Sequence, residues 1–95
     1  MKINWPIMLR RVEGESMLPA LKNGRILVGY KWFKDLEAGD LVIVHHDNLE
    51  KIKRVDRNDG DRLYLIGDNS GSSTDSRHFG WVSKSQVLAK VIRFA

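Results

Sequence analysis

Two short stretches of this chain carry side chains that could together break a peptide bond: GESMLPAL at residues 14–21 and KIKRV at residues 51–55. A serine hydroxyl attacks poorly until a neighbouring base takes its proton, and an uncharged lysine amine can be that base without any histidine. Lysine ordinarily keeps its proton up to a pKa of about 10.4, so the base must sit against apolar neighbours before it works near neutral pH. In KIKRV the period-two alternation of a strand sends Lys51 and Lys53 to one face and Ile52 and Arg54 to the other. Alternation alone leaves both lysines as candidates. Ser16 taken alone is equally ambiguous, because a serine between Gly14 and Pro19 also suits a plain turn.

A third stretch, GDNSGSSTDSR at residues 67–77, is dense in hydroxyl groups and contains Asp75 and Arg77, which can pair and order a loop around Ser73 and Ser76. A loop of this composition between strands is where a rigid scaffold displays function. Other chemistries find no such support. The chain has no cysteine, hence no disulfide framework, thiolate nucleophile or thiolate metal site. His45 and His46 are adjacent and face opposite ways on a strand, and His78 is far off, so no metal-ligand spacing results. Gly67, Gly71 and Gly80 do not form a phosphate-binding spacing ahead of a helix. Neither a metal nor a cofactor is expected. The net charge of +4 would permit a nucleic-acid partner, but the 16 basic residues are interspersed with 12 acidic ones, which reads as a solvated surface. No nucleic-acid partner is expected.

These residues need a scaffold, and 95 residues with 42% hydrophobic and 29% charged side chains suffice for one globular domain, residues 1–95. Strand patterns occupy residues 25–33, 41–46, 49–57, 62–67 and 87–94, divided by Gly39-Asp40, Asp47-Asn48 and the Asn58–Asp61 turn. Residues 15–22 and 83–88 invite short helices. The expected fold is mainly β: a small, coiled, partly closed antiparallel sheet with at most short helices. The longest apolar runs, ILVGY and LVIV, fall far below the roughly 18 residues of a membrane helix. The N-terminal MKINWPIMLRR lacks the apolar stretch and cleavage site of an export signal. Its Trp5, Ile7, Met8 and Leu9 are assigned to core packing, with contact to a membrane interface beside Arg10 and Arg11 as the alternative.

In the order GESMLPAL, GDLVIV, KIKRV, GDNSGSSTDSRHFGWV, residues 12–91 resemble the signal peptidase I family of Ser/Lys endopeptidases. The last motif, with the small size of the chain, is most similar to the short branch that matures nickel-type superoxide dismutase. The resemblance implies that Ser16 is the nucleophile and Lys53, directly before Arg54 and Val55, the general base. It further implies that Ser73 hydrogen-bonds the lysine, that Asp75 and Arg77 form a structural ion pair, and that Met17, Leu21 and Ile52 line a pocket for small side chains. Gly14 occupies the position where some members carry a serine that donates to the oxyanion, which leaves the backbone N–H of Ser16 for that task. Lys51 stands where the family often has an aromatic or small residue. The implied partner is a precursor polypeptide bound as an extended strand between residues 10–14 and 49–53.

Members that process exported proteins carry membrane helices and a large insertion before the GDN loop. Here Arg62–Ile66 alone separate Asp61 from Gly67. The expectation is a bare catalytic core in the cytoplasm acting on a precursor there, or a membrane-associated one if an anchor has been removed or comes from a partner. Two other readings fit the same core. Self-cleaving repressor domains cut bonds like Ala38-Gly39, but they place that bond before the serine and add a DNA-binding segment. A peptide-binding relic would keep the groove without the chemistry.

Overall fold

The computed structural model describes residues 5–94. Seven strands make one antiparallel sheet: β1 (Ile7–Arg11), β2 (Ile26–Tyr30), β3 (Leu41–His46), β4 (Leu49–Asn58), β5 (Arg62–Ile66), β6 (Val82–Ser83) and β7 (Val87–Phe94). Their order is β1-β2-β7-β3-β4-β5-β6. One helical turn, α1 (Ser76–Phe79), and two 3-10 turns at Ser70–Ser72 and Lys84–Gln86 complete the described chain.

The LVIV run of β3 is buried along its whole length because this central part of the sheet is covered on both faces. Val42 and Val44 pack with Leu36, Val55, Leu63 and Leu65, while Leu41 joins Val12, Met17, Leu21 and Leu27 on the other side. Asp47 and Asn48 both take positive φ, 55° and 61°, in the two-residue turn that joins β3 to β4. Short polar side chains tolerate that conformation, and its twist matches the strands it joins. The register follows, with Val42 opposite Lys53 and Val44 opposite Lys51.

The sheet is open yet strongly curled. β1 and β4 are separated by three strands, which would hold them about 19 Å apart in a flat sheet. An ion pair between Arg10 of β1 and Glu50 of β4 nevertheless bridges them. On β4, residues 49–53 pair with β3, and β5 joins only from Arg54 onward. The second edge of residues 49–53 therefore carries no strand among the described residues, and it lies across from β1, which pairs only with β2.

Strands at 41–46 and 87–94 fall where the pattern put them, and β4 runs one residue beyond its expected end. The 25–33 segment stops being strand at Tyr30, after which Phe33 turns in against the core. Residues 15–22 form turns instead of a helix: Leu21 N–H reaches Met17 carbonyl at 2.9 Å, but Pro19 has no N–H to continue the ladder. Of 83–88, only Lys84–Gln86 is helical, as a 3-10 turn. The assignment of Trp5, Ile7 and Leu9 to the core is also overturned. They are 64%, 42% and 59% exposed: Ile7 and Leu9 share a face of the edge strand β1 and Trp5 lies just before it, with none of the three buried by the described residues, while Met8 is half-buried against Gly29.

Candidate active site

Lys53 lies at mid-strand on β4 and is 5% exposed. Its Nζ donates to Ser73 Oγ at 2.9 Å. Ser73 Oγ donates in turn to Asp75 Oδ2 at 2.8 Å, and Asp75 is fully buried. The same carboxylate accepts from Gly67 N–H at 2.8 Å and from Arg77 Nε at 3.0 Å, with a second Arg77 contact through Nη2. It also caps α1 by accepting from Arg77 N–H at 3.1 Å. Burial pushes the Asp75 carboxyl up, but the bonds from Arg77, Gly67 and Ser73 outweigh it and hold the group well below the usual carboxylate range. Lys53 is shifted below its ordinary value of 10.5, chiefly by burial; Asp75 opposes that shift, and the charges of Lys51 and Arg77 reinforce it.

Ser16 sits in the turn after β1, and that turn is held from several sides. Its carbonyl accepts from Asn69 N–H at 2.8 Å, and Asn69 Nδ2 donates to Glu15 carbonyl at 3.0 Å. Gly14, with φ of 83°, donates its N–H to Asn23 Oδ1 at 3.0 Å. Met17, almost fully buried, anchors the turn in the apolar cluster. The GDN segment that grips Ser16 is itself tied to β4, because Arg54 donates to both oxygens of Asp68 at 2.8 Å. Gly67 is where the two halves meet. A Cβ there would lie 2.1 Å from Ser73 Oγ and 2.8 Å from the Ser16 carbonyl, so only glycine lets them approach.

Ser16 and Lys53 line one cavity of about 350 Å³, together with Val12, Met17, Lys51 and Ile52. Arg10, Arg11, Glu13 and Glu50 form its outer rim. Of the residues singled out from sequence, Ser16, Lys53, Met17 and Ile52 reach the cavity, while Ser73, Asp75 and Arg77 stand behind the lysine. Gly14 lies at the turn entrance, and Leu21 is fully buried among Met17 and Leu27, away from the wall. Sequence reasoning assigned no role to Gly67, Asp68 or Asn69. The signal available was the Gly-Asp-Asn triplet following the apolar strand RLYLI.

A serine-bearing turn and a desolvated amine sharing one cleft on a curled β-sheet is a hydrolase layout, and the comparisons agree. Residues 3–92 match the Peptidase S24-like family model, and the chain belongs to that family. It is 26% identical to signal peptidase I of Bacillus caldolyticus over 135 aligned positions, which cover 84% of this chain and 74% of that protein. It is 33% identical to mitochondrial inner membrane protease subunit 2 of Schizosaccharomyces pombe over 109 positions, 85% of this chain and 60% of that one. Both alignments are longer than the 95-residue chain, so both relatives carry insertions within the matched span. Family and relatives place the chain among serine peptidases of the signal peptidase type.

Proposed function

We propose that this chain is a Ser/Lys endopeptidase that removes an N-terminal leader from a precursor protein. The observation that carries the reading is the state of Lys53: buried, shifted toward its neutral form, bonded to Ser73, and lining the same cavity as Ser16. A neutral lysine at that position takes the Ser16 hydroxyl proton as the oxygen attacks a peptide carbonyl, and the Ser16 N–H meets the developing oxyanion. The proton passes to the leaving amine. Lys53 then takes a proton from water, the hydroxide attacks the ester carbonyl, and Lys53 returns the proton to the departing Ser16 Oγ. No cofactor enters these steps.

The substrate is an extended strand laid between β1 and the unpaired edge of residues 49–53, where free N–H and C=O groups on both sides can pair with it. Met17 and Ile52 form the apolar floor and favour a small side chain before the cut. The sequence resemblance points to a nickel-type superoxide dismutase precursor as substrate. A second site of action is favoured by one structural feature. Trp5, Ile7 and Leu9 form an exposed apolar row beside Arg10 and Arg11, a composition suited to an anionic bilayer surface, and one relative is named for an inner membrane.

Purified protein is mixed with a nickel-type superoxide dismutase precursor or an exported preprotein, with and without anionic vesicles, and intact masses are followed. Trimming of the dismutase precursor without vesicles, abolished by Ser16→Ala, is the expected result. Cleavage of only the exported preprotein, and only with vesicles, replaces the substrate while keeping the chemistry. Persistent cleavage by Ser16→Ala overturns the chemistry itself.

A further inference from the structure

The wall of the cleft carries a second ammonium group that the reaction does not use. Lys51 is two residues from Lys53 on the same face of β4, about 6.6 Å away along the strand. It is half-buried and lines the cavity. Its Nζ lies 3.2 Å from His46 Nδ1 and 4.8 Å from the centroid of the Phe79 ring, which itself stacks on His46 at 4.2 Å. Those contacts fix where the ammonium sits without neutralising it. An imidazole nitrogen accepts a hydrogen bond and an aromatic face attracts a cation, but neither supplies a full negative charge.

The neighbouring charges do not neutralise it either. Glu50 is committed to Arg10 across the cleft. Lys53 bonds to Ser73, and Asp75 behind it is engaged by Arg77. Arg11 and Glu13 lie on the β1 side of the rim and balance one another in sign. Among the described residues, no carboxylate forms an ion pair with Lys51. The cleft thus presents one positioned, half-desolvated positive charge at a fixed distance from the base.

We infer that Lys51 is a specificity-determining residue that selects a substrate carboxylate, an aspartate or glutamate two residues removed from the residue whose carbonyl is attacked. The inference rests on the peptidase reading above. A strand laid along residues 49–53 places every second side chain on one face, so the substrate residue two along from the one beside Lys53 stands beside Lys51. Depending on strand direction, that is the third residue before the cut or the second after it. An acidic side chain there meets the ammonium, whereas a lysine meets a like charge in a half-buried site.

The test is a series of alanine-based peptides with a small residue before the cut and Glu, Gln or Lys at each of those two positions. Cleavage by the native protein is read as kcat and KM separately. At one of the two positions, Glu is expected to exceed Lys by about tenfold in kcat/KM, the scale of one charge-assisted contact, and the difference is expected in KM. Lys51→Gln flattens the preference, Lys51→Glu reverses it, and Lys51→Arg keeps it, which separates charge from packing on Phe79. Added salt at 1 M weakens the preference in the native protein. The same peptides are also titrated onto Ser16→Ala by fluorescence anisotropy, which reads the charge preference without turnover. Absence of cleavage with charge-dependent binding sinks the peptidase reading and leaves the Lys51 assignment standing. Equal handling of Glu and Lys peptides by the native protein, a preference that survives Lys51→Gln, or no binding of any peptide overturns the assignment.

Discussion

Ser73 gives its single hydroxyl hydrogen to Asp75 Oδ2 at 2.8 Å, so the same oxygen can only accept from Lys53 Nζ at 2.9 Å. The direction of donation along Lys53, Ser73 and Asp75 is therefore fixed. An amine that donates to Ser73 does not spend its lone pair there, and in the neutral form that lone pair remains for the Ser16 proton. Arg77 and Gly67 hold the far end by keeping Asp75 ionised and in place. Buried polar chains of this kind are worth keeping only when every member is satisfied, and no buried side-chain polar atom lacks a partner among the described residues.

The first prediction concerns the proposed pair. Ser16→Ala and Lys53→Ala each abolish turnover, and the double variant is no slower than either single one, because nucleophile and base act as a unit. Lys51→Ala retains turnover on an uncharged peptide. Single-turnover cleavage assays with folding checked by circular dichroism decide this, and full activity in Lys53→Ala overturns the assignment of the base.

A second prediction follows from the direction of the Lys53 shift. The rise of kcat/KM with pH is expected at an apparent pKa below 10.5, since burial disfavours the charged amine. Lys51 and Arg77 lower that value and Asp75 raises it. Lys51→Gln therefore moves the ascending limb upward in pH and Asp75→Asn moves it downward, while Ser73→Ala lowers the plateau by loosening the amine. Profiles measured from neutral to alkaline pH on an uncharged peptide check all three. Identical profiles would remove Lys53 as the titrating group.

The third prediction is about acid stability. Asp75 has a lowered pKa in the folded protein, so between that value and the ordinary 3.8 the unfolded chain binds a proton that the native state does not. Stability is fully present above that window and falls as pH drops through it. Asp75→Asn removes this slope and costs about 2 to 3 kcal/mol at neutral pH by weakening the bonds to Arg77, Gly67 and Ser73. Thermal melts between pH 2 and 7 are the measurement. A variant with an unchanged slope shows that another group governs acid unfolding.

Gly67→Ala is predicted to lose activity and about 1 to 3 kcal/mol of stability, because the added carbon meets Ser73 Oγ at 2.1 Å and Ser73 Cβ at 2.6 Å. The fault is lack of space, so moving Ser73 aside breaks its bonds to Lys53 and Asp75 together. Combining Gly67→Ala with Ser73→Gly recovers part of the stability and none of the rate, because the Ser73 clash is relieved while the Ser16 carbonyl still lies 2.8 Å from the added carbon. Comparison of melts and rates for the single and combined variants tests this, and a fully active Gly67→Ala contradicts it.

How far these relationships could be read in advance depends on their range. β3 and β7 were legible because an apolar run bounded by turn residues is a local signal. β1 was not, since IMLRR has no clean alternation and its pairing to β2 spans the whole Ser16 turn. Four residues of helix at Ser76–Phe79 are too short for a periodicity, and only Asp75 as cap marked them. Alternation put Lys51 and Lys53 on one face, but depth separates them: Lys53 lies beneath the Ser73 loop, and Lys51 stays half-open at the cleft. The exposure of Trp5, Ile7 and Leu9 escaped composition because apolar residues on or just before an edge strand look like core residues until the fold shows that the described residues leave them open.

The last prediction sets stability against activity at one residue. A buried amine is a standing cost, because burial disfavours its charged form and sets its folded pKa below that of the unfolded chain. Between the lowered folded value and 10.5, stability rises with pH; below the folded value the native state must bury the charge itself. Methionine matches the length of lysine, fills the site beside Val42 and removes this linkage, at the loss of one bond to Ser73, which can keep its own bond to Asp75. Lys53→Met is therefore expected to be inactive yet more stable than the native protein at pH 7, with the gain shrinking toward pH 10. Denaturant titrations at both pH values measure it. A variant less stable than native at pH 7 would show that Lys53 is kept for structure and that its burial is not a concession to chemistry.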